Sequence, residues 1–234
     1  MGFLDLIFPK KCVGCKKQGS YLCDKCFSYL SFDAKTLCLV CNKPSINSIT
    51  HPGCKGKYTI NGCFSSLSYN KTVQKLIFSF KYKPYLTDLK PILCDLFYEG
   101  LIQNEEFNRE LQKSNPPAGG WVLVPVPLYS AKLKKRGYNQ SEILANELGK
   151  RFNLPVQNLL KRVRNTKTQV GLKVEERKKN IKNAFSISSH QLVVSSQIIL
   201  VDDVVTTGST LLECANVLKR AGAKQVFGIT LARD

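Results

Sequence analysis

Beyond residue 60 the apolar residues fall into short β-type runs separated by segments of helical period. Residues 65–69 read as a strand, and residues 71–80 place Val73, Leu76, Ile77 and Phe80 at helical spacing. Pro84 predicts the end of that helix, and helical pattern resumes over 86–112. Residues 113–120, with Pro116-Pro117 and Gly119-Gly120, predict a loop. Trp121-Val122-Leu123-Val124-Pro125-Val126-Pro127 reads as a buried strand whose prolines mark its end. An amphipathic helix over 142–152 follows, with Ser141 as its N-cap. The polar, basic residues 162–172 predict a flexible loop, then a short helix. An apolar run from Gln197, a helix from Leu211 and a strand over 225–231 complete the chain. This alternation predicts an α/β fold, a parallel sheet flanked by helices, with its ligand site at the carboxyl ends of the strands.

The first sixty residues follow no such pattern and are organised by cysteines instead. Seven of the ten cysteines lie between residues 12 and 54. Cys12-x2-Cys15 and Cys23-x2-Cys26 form two knuckles whose four thiolates can close a tetrahedral zinc site. Cys38-x2-Cys41 is a third knuckle, and His51-Pro52-Gly53-Cys54 offers a fourth, in which a neutral imidazole replaces a thiolate. Two structural zinc ions are the economical reading. Cys63 is the alternative to His51, and spacing alone leaves a cross-braced pairing of the knuckles open. A segment this short has little core, so the metal would supply its stability. Cys94 and Cys214 sit in helix-like apolar settings and read as packed thiols. The change of character near Ile60 predicts a zinc-ribbon module over 1–60 and a second domain over 61–234.

Candidate chemistry concentrates where the run from Gln197 ends. Asp202 and Asp203 are followed by Val204-Val205 and then Thr206-Thr207-Gly208-Ser209-Thr210 before the helix. Backbone N–H groups at a helix N-terminus, with small hydroxyls beside them, cradle a phosphate. Two carboxylates at the strand end can accept hydrogen bonds from the cis-hydroxyls of a ribose. Neighbouring strand residues point to opposite faces, so a shared task requires that the pair sit at the end of the strand. The bland alternative is an ordinary βα turn with incidental acids.

Charge adds a second theme. With 35 basic and 17 acidic residues the formal net charge is +18, a field that favours nucleic acid or phosphorylated ligands. Residues 131–182 hold 15 Lys or Arg against 4 Asp or Glu, a local excess of +11, and predict the electropositive face. A hydrophobic fraction of 43% argues against wholesale disorder. No run approaches a membrane span, the first residues lack the form of a signal peptide, and Leu6 spoils a myristoylation signal at Gly2, so the cytoplasm is the expected compartment.

The stretch from Asp202 to Thr210 resembles the phosphoribosyl pyrophosphate (PRPP) motif of type I phosphoribosyltransferases. The chain as a whole resembles the ComF family of competence-associated proteins. The resemblance rests on Phe8-Pro9, Phe80-Lys81-Tyr82-Lys83, Val124-Pro125-Val126-Pro127, Arg136-Gly137-Tyr138-Asn139-Gln140, Thr168 and Gln169 with Arg177 and Asn180, and the acidic-hydroxyl stretch itself. His51 departs from the Cys more usual in its knuckle. The resemblance implies a type I phosphoribosyltransferase-like domain behind a double zinc ribbon. It further implies PRPP with Mg at Asp202, Asp203, Thr206, Thr207, Gly208, Ser209 and Thr210. It also implies a cytoplasmic role in natural transformation, with single-stranded DNA and a DNA-uptake helicase as partners. Lys81 and Arg136 are the candidates for pyrophosphate or nucleic-acid contact, with residues 162–172 as clamp and lid. Tyr82, Tyr85 and Tyr138, beside basic residues, are candidate stacking platforms. The alternative is an active phosphoribosyltransferase for a small nucleophile or base. Purine-salvage relatives carry an acid at the position of Thr206; a threonine there cannot serve as general base, and the sequence names no other catalytic residue.

Overall fold

The computed structural model describes residues 9–82, 89–113, 120–166, 174–188 and 193–234. Tyr85, Pro84, Thr168, Gln169 and much of the expected lid lie outside the described residues, as do 114–119 and the side chain of Arg177.

After the ribbon the elements run β1 (Gly62–Ser68), α1 (Lys71–Tyr82), α2 (Leu89–Ile102), α3 (Glu105–Gln112), β2 (Trp121–Pro125), α4 (Ser130–Arg136) and α5 (Gln140–Phe152). They continue with β3 (Leu160–Arg162), α6 (Val174–Ile181), β4 (Phe185–Ile187), β5 (Gln197–Val205), α7 (Ser209–Arg220) and β6 (Gln225–Arg233). Four strands form a parallel sheet in the order β1-β6-β5-β2, and β3 pairs antiparallel with β4. The central strands are apolar on both faces, as a sheet covered on both sides requires.

One face packs Phe64, Ile199, Phe227 and Ile229 against Val73 and Ile77 of α1, Phe97 of α2, Phe107 of α3 and Leu144 of α5. The other packs Val124, Ile198, Leu200 and Val226 against Cys214 and Leu218 of α7 and Phe185 of β4. Leu39 and Ile60 of the ribbon segment belong to this second core, so the ribbon shares apolar contacts with the sheet. Cys94 and Cys214 are buried thiols, and Cys63 is a third, within β1.

Several boundaries differ from expectation for local reasons. Helix α5 starts at Gln140 because the Asn139 side chain accepts from Ser141 N at 3.2 Å, so Asn139 is the cap and Ser141 is not. Helix α7 starts at Ser209 rather than Leu211, since Gly208 takes the left-handed conformation (φ 71°) that turns the chain into it. The basic residues 132–135 form part of helix α4, and the β3–β4 pairing closes what reads in the sequence as loop. Three-residue strands are too short to show a period of two.

Candidate functional site

Strand β5 outruns β2. Their pairing ends at Pro125 with Val201, while β5 stays paired to β6 through Val205 with Arg233. Asp202 and Asp203 therefore lie within β5 rather than beyond its end, but on a stretch whose β2 side is open. Alternation sends them to opposite faces. Asp203 is buried and forms an ion pair with Lys81 of α1, Nζ to Oδ2 2.7 Å. Asp202 accepts from Ser141 Oγ at 3.0 Å and from the Asp203 amide at 2.9 Å. Both nonetheless line one cleft of about 430 Å³ at the carboxyl edge of the sheet, which is how two divergent side chains share a site.

The electrostatics of the pair follow from this placement. Burial, then the neighbouring Asp203 charge, push the Asp202 carboxyl up to about 7, against the opposing pull of Lys81 and Ser141. For Lys81 burial works against the charge, but Asp203 outweighs it and holds the ammonium above its usual value.

The floor of the cleft is the turn after β5. Asp202 and all residues from Val204 to Leu211 line a second hollow of about 20 Å³, against the first turn of α7. Thr207 and Ser209 hydroxyls are linked at 2.9 Å. Helix N-terminal amides and hydroxyls in this arrangement suit an anion.

Among the described residues, four cations line the cleft: Lys81, Lys132, Arg136 and Arg162. Lys81 and Arg136 were expected from the sequence. Lys132 was not, although it lies in the basic run, and it donates to Thr166 O at 3.0 Å. Burial, then Arg162 and Arg136, lower its pKa. Arg162 of β3 donates to Thr166 Oγ1, while its buried Nε has no hydrogen-bond partner. Such a donor is costly unless an acceptor arrives. Arg136 donates to Gln140 Oε1, and its guanidinium lies 5.3 Å from the Tyr82 ring centroid. Chemically, the cleft offers carboxylates for hydroxyl groups and cations for a polyanion. Tyr138 corrects an expectation: it is half-buried against Phe80 and donates its hydroxyl to the Phe80 carbonyl, so it packs and is no stacking platform.

The ribbon brings two sets of four donors together. The ligand atoms of Cys12, Cys15, Cys23 and Cys26 lie within 4.8 Å of one another, as do those of Cys38, Cys41, His51 and Cys54. The pairing is thus sequential rather than cross-braced, and Cys63, buried in β1, is not in either set. Both sets begin with the same turn. Cys12 N donates to Lys17 O and Lys16 N to Cys12 O, each at 2.8 Å. Cys38 N donates to Lys43 O at 2.9 Å and Asn42 N to Cys38 O at 2.8 Å. Lys16 and Asn42 take the same left-handed backbone, with φ 70° and 57°.

Zinc fits both sets. Cys15 Sγ and Cys23 Sγ are 3.5 Å apart, near the spacing of thiolates on one tetrahedral ion. His51 turns Nδ1 to within 3.3 Å of Cys41 Sγ and sets Nε2 at 2.9 Å from Pro44 O. An Nε2–H held by that carbonyl leaves the Nδ1 lone pair for a metal. Burial raises Cys12, but backbone hydrogen bonds from Cys23, Cys15 and Gly14 outweigh it and lower the thiol to about 6. Burial, with hydrogen bonds to the other three thiols, pushes Cys26 up to about 12. Four crowded thiols cannot all ionise without a cation among them, and zinc is the cation that this donor set selects.

The comparisons with known proteins agree with this geometry. A double zinc ribbon domain matches residues 3–56, and a phosphoribosyl transferase domain matches residues 134–234. The chain is therefore a phosphoribosyltransferase-type α/β protein behind a double zinc ribbon with two zinc sites. Competence protein F of Haemophilus influenzae is 41% identical over 114 residues, covering 48% of this chain and 50% of that protein. DNA utilization protein YhgH of Escherichia coli is 40% identical over 105 residues, 44% of this chain and 45% of that protein. Competence protein ComFC of Bacillus subtilis is 25% identical over 226 residues, 93% of this chain and 86% of that protein. The chain is a homologue of these ComF-type competence proteins, although it spans only about half the length of the first two. A solved structure, glutamine PRPP amidotransferase from B. subtilis with ADP and GMP, aligns at 17% identity with a TM-score of 0.32 over 51% of this chain and 24% of that one. A likeness that slight adds nothing to the assignment.

Proposed function

We propose that this protein binds PRPP with Mg in the cleft beside Asp202 and Asp203 and single-stranded DNA on the basic surface at its mouth, as a component of DNA uptake. The observation that carries the reading is the cleft itself, which gathers a carboxylate pair, the turn into α7 and four cations. The carboxylates suit ribose hydroxyls, the turn over Thr206–Thr210 suits the 5′-phosphate, and Lys81, Lys132, Arg136 and Arg162 suit the pyrophosphate. Mg supplies charge neutralisation on the pyrophosphate oxygens. Binding is favoured over turnover, because Thr206 has no basicity with which to activate a nucleophile.

The nucleic-acid half of the reading rests on a surface ladder. Phe78 and Tyr82 are 56% and 54% exposed on α1, with ring centroids 4.8 Å apart, and Arg136 covers the Tyr82 ring. Exposed aromatics capped by a guanidinium are a platform for unstacked bases. The names of the relatives, competence and DNA utilization proteins, point the same way. No helix among the described residues is long and apolar enough to cross a membrane.

Calorimetry with Mg-PRPP, beside single-strand binding over a salt series, tests the proposal. Saturable heat and affinity falling with salt by about 0.7 log units per log unit for each phosphate contacted are expected. Absence of heat removes the PRPP half, and a flat salt dependence removes the DNA half.

A further inference from the structure

The second zinc unit, through the knuckle Cys38-x2-Cys41, reaches the turn over Thr206–Thr210. Leu39, between the ligands Cys38 and Cys41, is 1% exposed and packs in the core that also holds Val205 and Leu211, the residues flanking that loop. Its side chain presses on the loop's glycine: a Cβ placed on Gly208 would lie 2.4 Å from Leu39 Cδ1 and 2.5 Å from Cγ. Gly208 therefore meets two demands, a left-handed φ of 71° and room for Leu39. The same ribbon unit is fixed to the sheet by Arg233 Nη1, which donates to Leu37 O at 3.4 Å. Thr50, next to the ligand His51, donates through Oγ1 to Ile60 O at 2.7 Å and through its amide to Asn61 O at 2.9 Å. Among the described residues, the contacts of the first zinc unit go elsewhere. Its knuckle residue Val13 packs into the opposite core, and Gly14 O accepts from Lys75 Nζ of α1 at 2.6 Å.

We propose that Leu39 is a positioning residue for the phosphate loop, so that zinc in the Cys38/Cys41/His51/Cys54 site and a phosphoribosyl ligand at Thr206–Thr210 bind with positive coupling. The proposal rests on the PRPP reading above. With the metal in place, the knuckle turn holds Leu39 under Gly208 and the loop keeps the shape that aims its amides and hydroxyls at the anion. When the metal leaves, the ligands part, the turn relaxes, and the apolar floor of the loop goes with it. Coupling between two sites is reciprocal in affinity, so a ligand on the loop must tighten that zinc site by the same factor. The zinc of the first site, seated against the other face of the sheet, is outside this linkage.

The test uses the full chain carrying both zinc ions. Zinc release to increasing concentrations of a chromogenic chelator is measured at equilibrium with and without Mg-PRPP, and Mg-PRPP affinity is measured on the unaltered chain, Leu39→Ala and Val13→Ala. The expected results are one zinc ion of the two held roughly tenfold more tightly in the presence of the ligand, and PRPP affinity lowered roughly tenfold by Leu39→Ala but little by Val13→Ala. The zinc of the first site reports any direct ligation of metal by PRPP, and the release measurement needs no variant, so misfolding of Leu39→Ala leaves it intact. PRPP binding with both zinc ions transferred to the chelator at unchanged equilibrium affinity overturns the coupling while leaving the PRPP reading standing. Absence of PRPP binding to the unaltered chain overturns both.

Discussion

Ser141 Oγ donates to Asp202 Oδ1 across 3.0 Å, joining the first turn of α5 to the open stretch of β5. Two residues earlier Asn139 caps the same helix. On the proposed PRPP reading, the two polar side chains therefore separate stability from ligand recognition. Asn139→Ala is expected to lower unfolding free energy by about 1 kcal/mol with little change in PRPP affinity. Ser141→Ala is expected to weaken PRPP about threefold to tenfold at a stability cost below about 1 kcal/mol, the scale of one hydrogen bond. Chemical denaturation and calorimetry on both variants check the division; equal effects of the two on affinity would remove Ser141 from the site.

The same pair shows what was legible in the sequence. Ser141 stands where a cap residue stands, and nothing local reveals that Asn139 takes the cap and frees the hydroxyl for Asp202, 61 residues away. The parallel sheet, the helix over Val73 to Phe80 and the hydroxyl-rich turn were legible because each is written in local period or spacing. Lys132 was visible only as a member of a basic run, and Arg162 only as the first residue of the expected clamp and lid over 162–172, since their convergence on one cleft depends on where α4 and β3 fold. Leu39 carried no signal at all: an apolar residue inside a zinc knuckle looks the same whether it faces water or packs beneath the turn after β5.

Asp203 is buried and its ion-pair partner Lys81 is 23% exposed at the side chain. Removing one partner of a buried pair leaves an uncompensated charge. Lys81→Met is expected to destabilise the chain by about 3 kcal/mol, and Lys81→Met/Asp203→Asn to recover most of that loss. Both variants should bind Mg-PRPP more weakly, because one cation of the cleft is gone in each. A double-mutant cycle by thermal and denaturant unfolding reads the coupling, and strictly additive losses would show the pair to be energetically idle.

Asp202, held at about 7 in the fold against an ordinary value of 3.8, keeps a proton that the unfolded chain has lost. The folded state thus binds more protons across that interval, and stability falls as pH rises. The contribution is fully present below about pH 4 and is lost as pH passes 7, amounting to on the order of a few kcal/mol. Asp202→Asn should flatten this slope. Ribose hydroxyls donate best to the ionised carboxylate, so Mg-PRPP is expected to bind more tightly at pH 8 than at pH 6, with proton release. Calorimetry in two buffers of different ionisation enthalpy measures that release; a pH-independent affinity with no proton exchanged would exclude Asp202 as an acceptor for the sugar.

His51 offers Nδ1 toward Cys41 while Pro44 O holds Nε2. His51→Cys retains a four-donor set and is expected to keep two zinc ions per chain; His51→Leu is expected to keep about one, since the first set is untouched. Zinc counted by atomic emission after gel filtration decides the matter. Two ions retained in His51→Leu would show that three thiolates suffice, and with them the loss of any need for the imidazole.

Phe78 and Tyr82 expose their rings on α1 in mutual contact, and packing gives no reason for two such aromatics to remain over half exposed. If they receive bases, truncation removes stacking and leaves the cationic attraction in place. Phe78→Ala and Tyr82→Ala are each expected to weaken single-stranded DNA by about 1–3 kcal/mol while leaving the salt slope unchanged. Arg136→Gln should instead reduce the slope, because it removes a phosphate-directed charge, and should weaken Mg-PRPP as well, because the guanidinium also lines the cleft. Fluorescence anisotropy with a labelled oligonucleotide over a salt series separates the two behaviours. Full DNA affinity in the Phe78→Ala/Tyr82→Ala double variant would mean that the strand follows another face of the protein, and that the basic run over 131–182 attracts it without the ladder.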